Sequence, residues 1–379
     1  MRSVIAGLLL VAGCDRAFGL EREDAARSCF GKSGNGAGLL SVCLDTLPQE
    51  PAVLGGSVDT DAACDQVVVQ DDGMGTEVCV IAGTTIDIGT GVEATGSRPL
   101  VLVATDRLTI ASTGAIDVSS RRLLGTDGAG ASVGSCSALS QIGGSRNRGG
   151  AGGAGGSFGA SGGNGGDGST ANPPNSPGGV ALPAVLLTSV RGGCQGGRGG
   201  NGVSQKAGRA GDGGGAVYLI AGAAIEVGGS INASGEAGRG GGNDTSGNGG
   251  SGGGGGGSGG LIGLDAPVVG IASTARLVAN GAGGGGGGGT GGGAIDGMNG
   301  SQANVLTGTP PFLAPAGLGG TPGGSRGGSG GHRDSVEGGN GDNASFAAGG
   351  GGGSVGYVQV FTTTPSIDPA AVISPAPST

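Results

Sequence analysis

Apolar and polar positions alternate along a series of short stretches that can be laid over one another. The first reads Val80-Ile81-Ala82-Gly83-Thr84-Thr85-Ile86-Asp87-Ile88, then Gly91-Val92-Glu93-Ala94-Thr95. The second reads Leu102-Val103-Ala104-Thr105-Asp106-Arg107-Leu108-Thr109-Ile110, then Ala115-Ile116-Asp117-Val118. The third runs from Leu219 through Ile225-Glu226-Val227 to Ile231-Asn232-Ala233. A fourth, looser copy holds Leu264-Asp265-Ala266-Pro267, Val269-Gly270-Ile271 and Leu277-Val278-Ala279, and a degenerate fifth begins at Val355 and ends near Ile373. Alternation with period two marks half-buried strands, and the apolar members are rich in β-branched residues. No copy carries a helical i, i+3, i+4 stripe. A repeat of about 20–25 residues cannot close its own core and has to stack on its neighbours. The pattern therefore predicts an all-β protein, a parallel β-solenoid (β-helix). Ile86, Leu108, Ile225 and Val269 would form one interior ladder, and Val92, Ile116, Ile231 and Leu277 another.

Glycine enters this pattern at one place. Inserts at 121–214, 236–259 and 282–353 each follow the last strand of a copy, so they emerge on one face. Of 379 residues, 101 are Gly and 16 Pro, with no Trp, two Tyr and six Phe, so the core must be aliphatic. The expectation is long flexible loops, and deletion of 241–256, which buries no apolar side chain, should then leave melting nearly unchanged. The alternative is a bundle of extended polyglycine helices, permitted because no Cβ blocks backbone approach. The domain reading is a tether and N-terminal cap over 14–63, the solenoid with its inserts over 64–373, and a disordered tail at 374–379.

The N-terminus carries Arg2, an apolar run Val4–Val11, and Val11-Ala12-Gly13-Cys14. The run is too short to span a bilayer and reads as an export signal over 1–13. Its closing tetrapeptide resembles the bacterial lipobox. That resemblance implies that Cys14 is lipidated and anchors the protein to a membrane. In the composition of 78–360 the chain is similar to bacterial glycine-rich exported lipoproteins, and to the PE-PGRS proteins without their N-terminal helical domain. The resemblance implies a place in the bacterial cell envelope, at the outer membrane or cell surface, with surface glycans or envelope proteins as partners. It implies no activity. Six cysteines remain, and an even number in an exported chain suggests disulfides. Of 15 possible connectivities, Cys29–Cys43, Cys64–Cys79 and Cys136–Cys194 keeps each pair within one compositional block.

A net charge of −9 argues against nucleic acid as a partner. Gly31-Lys32-Ser33 echoes the end of a phosphate-binding loop, but Ala26 stands where that loop needs Gly. Gly-x-Ser-x-Gly occurs at 249–253 and 352–356, with His332 as the sole His. Gly162-Gly163-Asn164-Gly165-Gly166-Asp167 fits the first six positions of a calcium-binding nonapeptide, with Asp167 as the carboxylate. The outward positions of the last strand are Glu93, Asp117, Asn232 and Val278, and those of the preceding strand include Asp87, Thr109 and Glu226. Carboxylates on neighbouring rungs raise one pKa or recruit a cation. Glu93, Asp117 and Asp167 are thus the candidate calcium ligands, with Arg107 placed to approach and Arg98, Arg121 and Arg122 as surface charges; no other cofactor is expected. The expected function is a non-catalytic, lipid-anchored envelope protein that displays glycine-rich loops. The alternative is a polysaccharide-binding or polysaccharide-degrading β-helix, against which the scarcity of aromatic rings counts.

Overall fold

The computed structural model describes residues 28–32, 38–73, 75–121, 126–131, 136, 141–145, 149–168, 176–203, 205–301, 303 and 313–378. These are all-β, with no α-helix among the described residues. A hairpin pairs β1 (Ser28–Gly31) with β2 (Ser41–Leu44). Then come β3 (Ala52–Val53), β4 (Gly56–Asp59) and β5 (Gln66–Val69). Five triplets follow: β6 (Glu77–Gly83), β7 (Ile86–Ile88) and β8 (Gly91–Thr95); β9 (Leu100–Ala104), β10 (Arg107–Ile110) and β11 (Ala115–Asp117); β12 (Ala216–Ala221), β13 (Ala224–Val227) and β14 (Ser230–Asn232); β15 (Leu261–Asp265), β16 (Val268–Ile271) and β17 (Arg276–Val278); β18 (Tyr357–Phe361), β19 (Thr364–Ile367) and β20 (Val372–Ser374).

The triplets distribute over three six-stranded sheets. Sheet I runs β19-β16-β13-β10-β7-β3, sheet II runs β20-β17-β14-β11-β8-β4, and sheet III runs β18-β15-β12-β9-β6-β5. Consecutive strands enter different sheets, and the fourth returns beside the first. Within these three sheets all pairs are parallel except β5 on β6. Leu108 faces Ile86 and Ile225, and Ile225 faces Val269. Ile116 faces Val92 and Ile231, and Ile231 faces Leu277. Both expected interior ladders are thus present residue for residue, and they belong to one buried aliphatic core.

Sheet III differs from the other two because both its faces are covered. Every residue of β9, β12 and β15 is buried, which is why these strands read as apolar runs rather than alternations. Their outer face packs under the hairpin and under Phe158 and Val190 of the first insert, in a second core around Tyr218 and Ile220. Two boundaries differ from the sequence reading. Sheet strands begin at Ala52, inside the segment assigned to the cap. The tail, expected to fray, instead places Ser374 in β20, and Ser378 bonds back to Val358 and Val360.

Over most of their described residues the glycine-rich inserts are not flexible loops. The backbone there is buried and hydrogen-bonded with a three-residue period, that of an extended threefold helix. Gly150, Gly153 and Gly156 donate to Gly250, Gly253 and Gly256; Gly253, Gly256 and Gly259 donate to Ala348, Gly351 and Ser354; and those three donate back to Gly150, Gly153 and Gly156. The thread around 250–260 is central. Successive N–H groups point to different neighbours, Gly253 to Ala348, Gly254 to Arg239 and Gly255 to Gly197. Successive carbonyls likewise accept from Gly153, Gly285 and Gly211. Six neighbouring threads drawn from all three inserts thus surround it. A Cβ on Gly255 would fall under 3.0 Å from the Ala154 carbonyl, so close approach requires glycine here. Removing 241–256 would take out this central thread, so the expected tolerance of that deletion is overturned. The bundle buries peptide groups rather than side chains, and it keeps them paired.

Three disulfides brace the chain. Cys29–Cys43 crosses the hairpin, Cys64–Cys79 ties the approach to β5 onto β6, and Cys136–Cys194 lies in the first insert with 5.0 Å between Cα atoms. Cys194 belongs to a bundle thread, where its carbonyl accepts from the Ser258 N–H.

Candidate functional site

The outer face of sheet II carries the acidic ladder. Alternation turns Val92 and Ala94 inward and Glu93 outward, and the register sets Glu93, Asp117 and Asn232 on consecutive rungs. Arg121 occupies the space between the two carboxylates. Its guanidinium pairs with Asp117 and stands 3.7 Å from Glu93 Oε1. Asp117 Oδ1 also accepts from the Ser119 amide at 2.9 Å, the Ser119 hydroxyl at 2.6 Å and Asn232 Nδ2 at 3.3 Å. Arg121 thus supplies the positive charge that the ladder calls for, from four residues past the end of β11. With Ser57 and Ser230 these side chains line a shallow groove of about 360 Å³. A longer groove of about 550 Å³ runs over sheet I, lined by Thr109, Glu226, Gly270, Ser366 and Asp368. Arg107, the arginine expected to approach the acidic ladder, instead pairs there with Glu226.

The remaining sequence candidates have local explanations. Asp167 lies in a bundle thread, where its Oδ1 accepts from the Gly178 amide at 2.8 Å and its own amide donates to Asn343 Oδ1 at 2.7 Å. Three residues earlier, the Asn164 amide donates to Asn340 Oδ1 at 2.8 Å. Side-chain oxygens here replace carbonyls at the margin of the bundle. The Gly-Gly-Asn-Gly-Gly-Asp run is therefore two turns of the threefold pattern, and Asp167 serves the backbone.

Gly31 and Lys32 have φ of 93° and 54°, and the Lys32 amide meets an anion. The anion is the chain's own: the Lys32 amide donates to Asp265 Oδ2 at 2.6 Å, and the Tyr218 hydroxyl donates to the same oxygen at 2.9 Å. Burial, with the Asp265 charge second, pushes the Tyr218 phenol well above its ordinary value. Ser251 and Ser354 of the two Gly-x-Ser-x-Gly runs are buried, and their hydroxyls accept from the Gly202 and Phe158 amides. His332 sits in a short turn closed on Ser335. Cys14 and the export signal lie outside the described residues.

One cluster escaped sequence reading. Asp127, Asp212 and Glu236 bring carboxylate oxygens within 4.8 Å of one another, with Asp212 and Glu236 buried and Asp127 exposed. The Glu236 amide donates to the Asp212 carbonyl at 2.7 Å, so the paired bundle threads bring the two side chains together. Burial, then the hydrogen bond to Glu236 and the nearby acidic charges, push the Asp212 carboxyl up to about 7, against the opposing pull of Arg209. Asp212 is placed to hold a proton near neutral pH, and the oxygens of the cluster are the kind a hard divalent cation takes. Each carboxylate is isolated in a glycine-rich stretch, so no spacing announced the cluster. The chain matches no protein-family model, no curated protein and no solved structure.

Proposed function

We propose that this protein is a lipid-anchored component of a bacterial cell envelope, in which a β-solenoid carries a rigid glycine bundle with a structural or adhesive role. The winding of successive strands through sheets I, II and III supports the solenoid reading. The observation that carries the role is the joint burial of threads from all three inserts, over their described residues, in one body of paired peptide groups. The bundle also bears an apolar outer surface. The Met298 amide donates to the Leu318 carbonyl at 2.8 Å, and Met298 and Leu318 are 57% and 54% exposed, with Ile295 at 54% beside them. Apolar side chains grouped on a surface are suited to contact with another macromolecule. Disulfides suit an exported protein, and Cys14 would supply the anchor. Surface glycans or envelope proteins are the partners this reading implies.

The test is metabolic labelling with a fatty-acid probe, followed by fractionation of the envelope. The parent should be labelled and found with membranes, and Cys14→Ala should lose both properties. Equal labelling of the variant would remove the anchor from the proposal. The long groove over sheet I supports a second reading, a polysaccharide-binding or polysaccharide-degrading β-helix. Turnover of any member of a polysaccharide panel, assayed with and without calcium, would favour it.

A further inference from the structure

Strand β5 ends sheet III. On one side it pairs with β6, and among the described residues no strand lies on the other. The Gln70 amide donates to the Thr76 carbonyl at 2.8 Å, while the Cys79 amide turns away from β5 to the Pro99 carbonyl at 2.9 Å. Bonded and non-bonded positions alternate along an antiparallel pair. Gln66 and Val68 therefore bond across to β6, and Val67 and Val69 turn their N–H and C=O groups to the free edge. The side chains divide the same way. Gln66 Nε2 donates to the Cys43 carbonyl of the hairpin at 3.2 Å, and Val68 packs against the second core. Gln70 Nε2 donates to the Val190 carbonyl at 2.8 Å and its Oε1 accepts from the Val190 amide at 2.8 Å. Val67 and Val69 point to the opposite face and are 43% and 61% exposed. The strand is thus pinned along one side and bare along the other. A bare edge of β-branched residues is a template for an added strand, and an edge already fixed loses little freedom when one arrives.

Charge selects the occupant. Residues 45–77, which build this end of the stack, hold eight carboxylates and no lysine or arginine. Cations from elsewhere answer three of them: Arg98 pairs with Asp61 and Glu77, and Arg191 interacts with Asp72. Asp65 and Asp71 bracket β5 and are exposed. Asp65 Oδ2 accepts from the Ala82 amide at 2.9 Å. Lys32 lines a cavity together with Asp71, but among the described residues no ion pair joins them, and none holds Asp65. A second copy laid antiparallel with its Val69 opposite Val67 would set its Asp71 opposite Asp65, and like charges directly opposite destabilise a pair. Lysine or arginine in those places would be attracted instead.

We propose that the free edge of β5 takes up an extended peptide of a partner protein as an added strand, with apolar β-branched residues beside Val67 and Val69 and a basic residue beyond each end. The edge is separate from the grooves over sheets I and II, and the inference depends on neither the Cys14 anchor nor the role of the bundle.

Fluorescence anisotropy on the full chain tests this, with dye-labelled peptides built on a Thr-Val-Thr-Val-Thr centre as probes. One carries lysine at both ends, one carries glutamate at both ends, and one keeps the lysines but has its central peptide nitrogens methylated. The lysine-ended peptide should bind about fivefold or more tighter than the glutamate-ended one. Methylation, which removes the donors an added strand needs, should abolish binding. Val69→Pro removes an N–H that faces only the free edge and should weaken binding about fivefold or more, with melting unchanged. Val67→Lys, which sets a charge on the exposed edge, should do the same. Asp65→Asn combined with Asp71→Asn should bring the lysine-ended and glutamate-ended peptides to within about twofold of each other. No binding of the lysine-ended peptide, equal binding of the glutamate-ended or methylated one, or binding indifferent to Val69→Pro and Val67→Lys would each overturn the proposal. In sedimentation velocity, a parent dimer that Val69→Pro dissociates would assign the edge to a second copy and overturn it as well. Binding should survive in Cys14→Ala, which separates the result from the fate of the anchor.

Discussion

In the three-sheet stack, Leu108, Ile116 and Ile231 are buried through branched side chains stacked rung on rung. In the glycine bundle, Gly253 to Gly257 are just as buried and bring in no side chain at all. The stack is held chiefly by apolar area removed from water. The bundle is held by peptide groups that each donate to one neighbour and accept from another. A strand needs a side chain to define its inner face, whereas a bundle thread needs its absence to let carbonyls come close. The stack should therefore forgive a change of aliphatic shape, and the bundle should not forgive a methyl group.

The largest expected effect is in the stack. Ile116→Asp would bury an unpaired carboxylate in an interior ladder at a cost of about 5 kcal/mol, a large part of a domain's stability. Ile116→Val should cost about 1 kcal/mol. Urea unfolding followed by circular dichroism reads both, and a mild effect of the Asp variant would put residue 116 outside the core. Next is the bridge that ties the first insert. Cys136 and Cys194 are separated by 58 residues, and a loop of that length corresponds to about 4 kcal/mol in the chain-entropy model. The double Cys→Ala variant should melt lower and should expose the threads near 149–168 and 192–202 to protease. Unchanged protection would show that the bundle orders itself without the bridge.

The third test bears most directly on the comparison. Gly255→Ala, which drives a Cβ into the Ala154 carbonyl, should cost about 1–3 kcal/mol as overpacking. Gly292→Ala, where a Cβ meets nothing within 4 Å, should be near neutral. Equal costs would mean that packing in the bundle is looser than its hydrogen bonds require.

The smallest effect is a pH dependence. The folded Asp212 carboxyl is raised to about 7 from 3.8. The stability linked to it is full below the unfolded value and is lost as pH rises to about 7. Urea midpoints should therefore climb between pH 7.5 and pH 5, and Asp212→Asn should flatten that part of the slope. An unchanged slope in the variant would assign the dependence to other carboxylates.

The period-two alternation determined the stack down to its register. One slipped residue would have turned Ile116 outward and Asp117 inward, so the pattern admits a single alignment. It also placed Glu93 beside Asp117. The counterion was another matter: the sequence pointed to Arg107, which pairs with Glu226, and Arg121, read as a surface charge, stands between the two carboxylates. The state of the glycine runs was decided only in three dimensions. A Gly-Gly-x triplet is compatible with solvated coil and with a bundle thread, because glycine restricts its own backbone so little. What separates the two is whether other threads lie within hydrogen-bonding reach on every side, and those come from distant inserts. The meeting of Asp127, Asp212 and Glu236, and that of Gln70 with Val190, have the same origin. Both are juxtapositions made by packing between segments that share no local pattern.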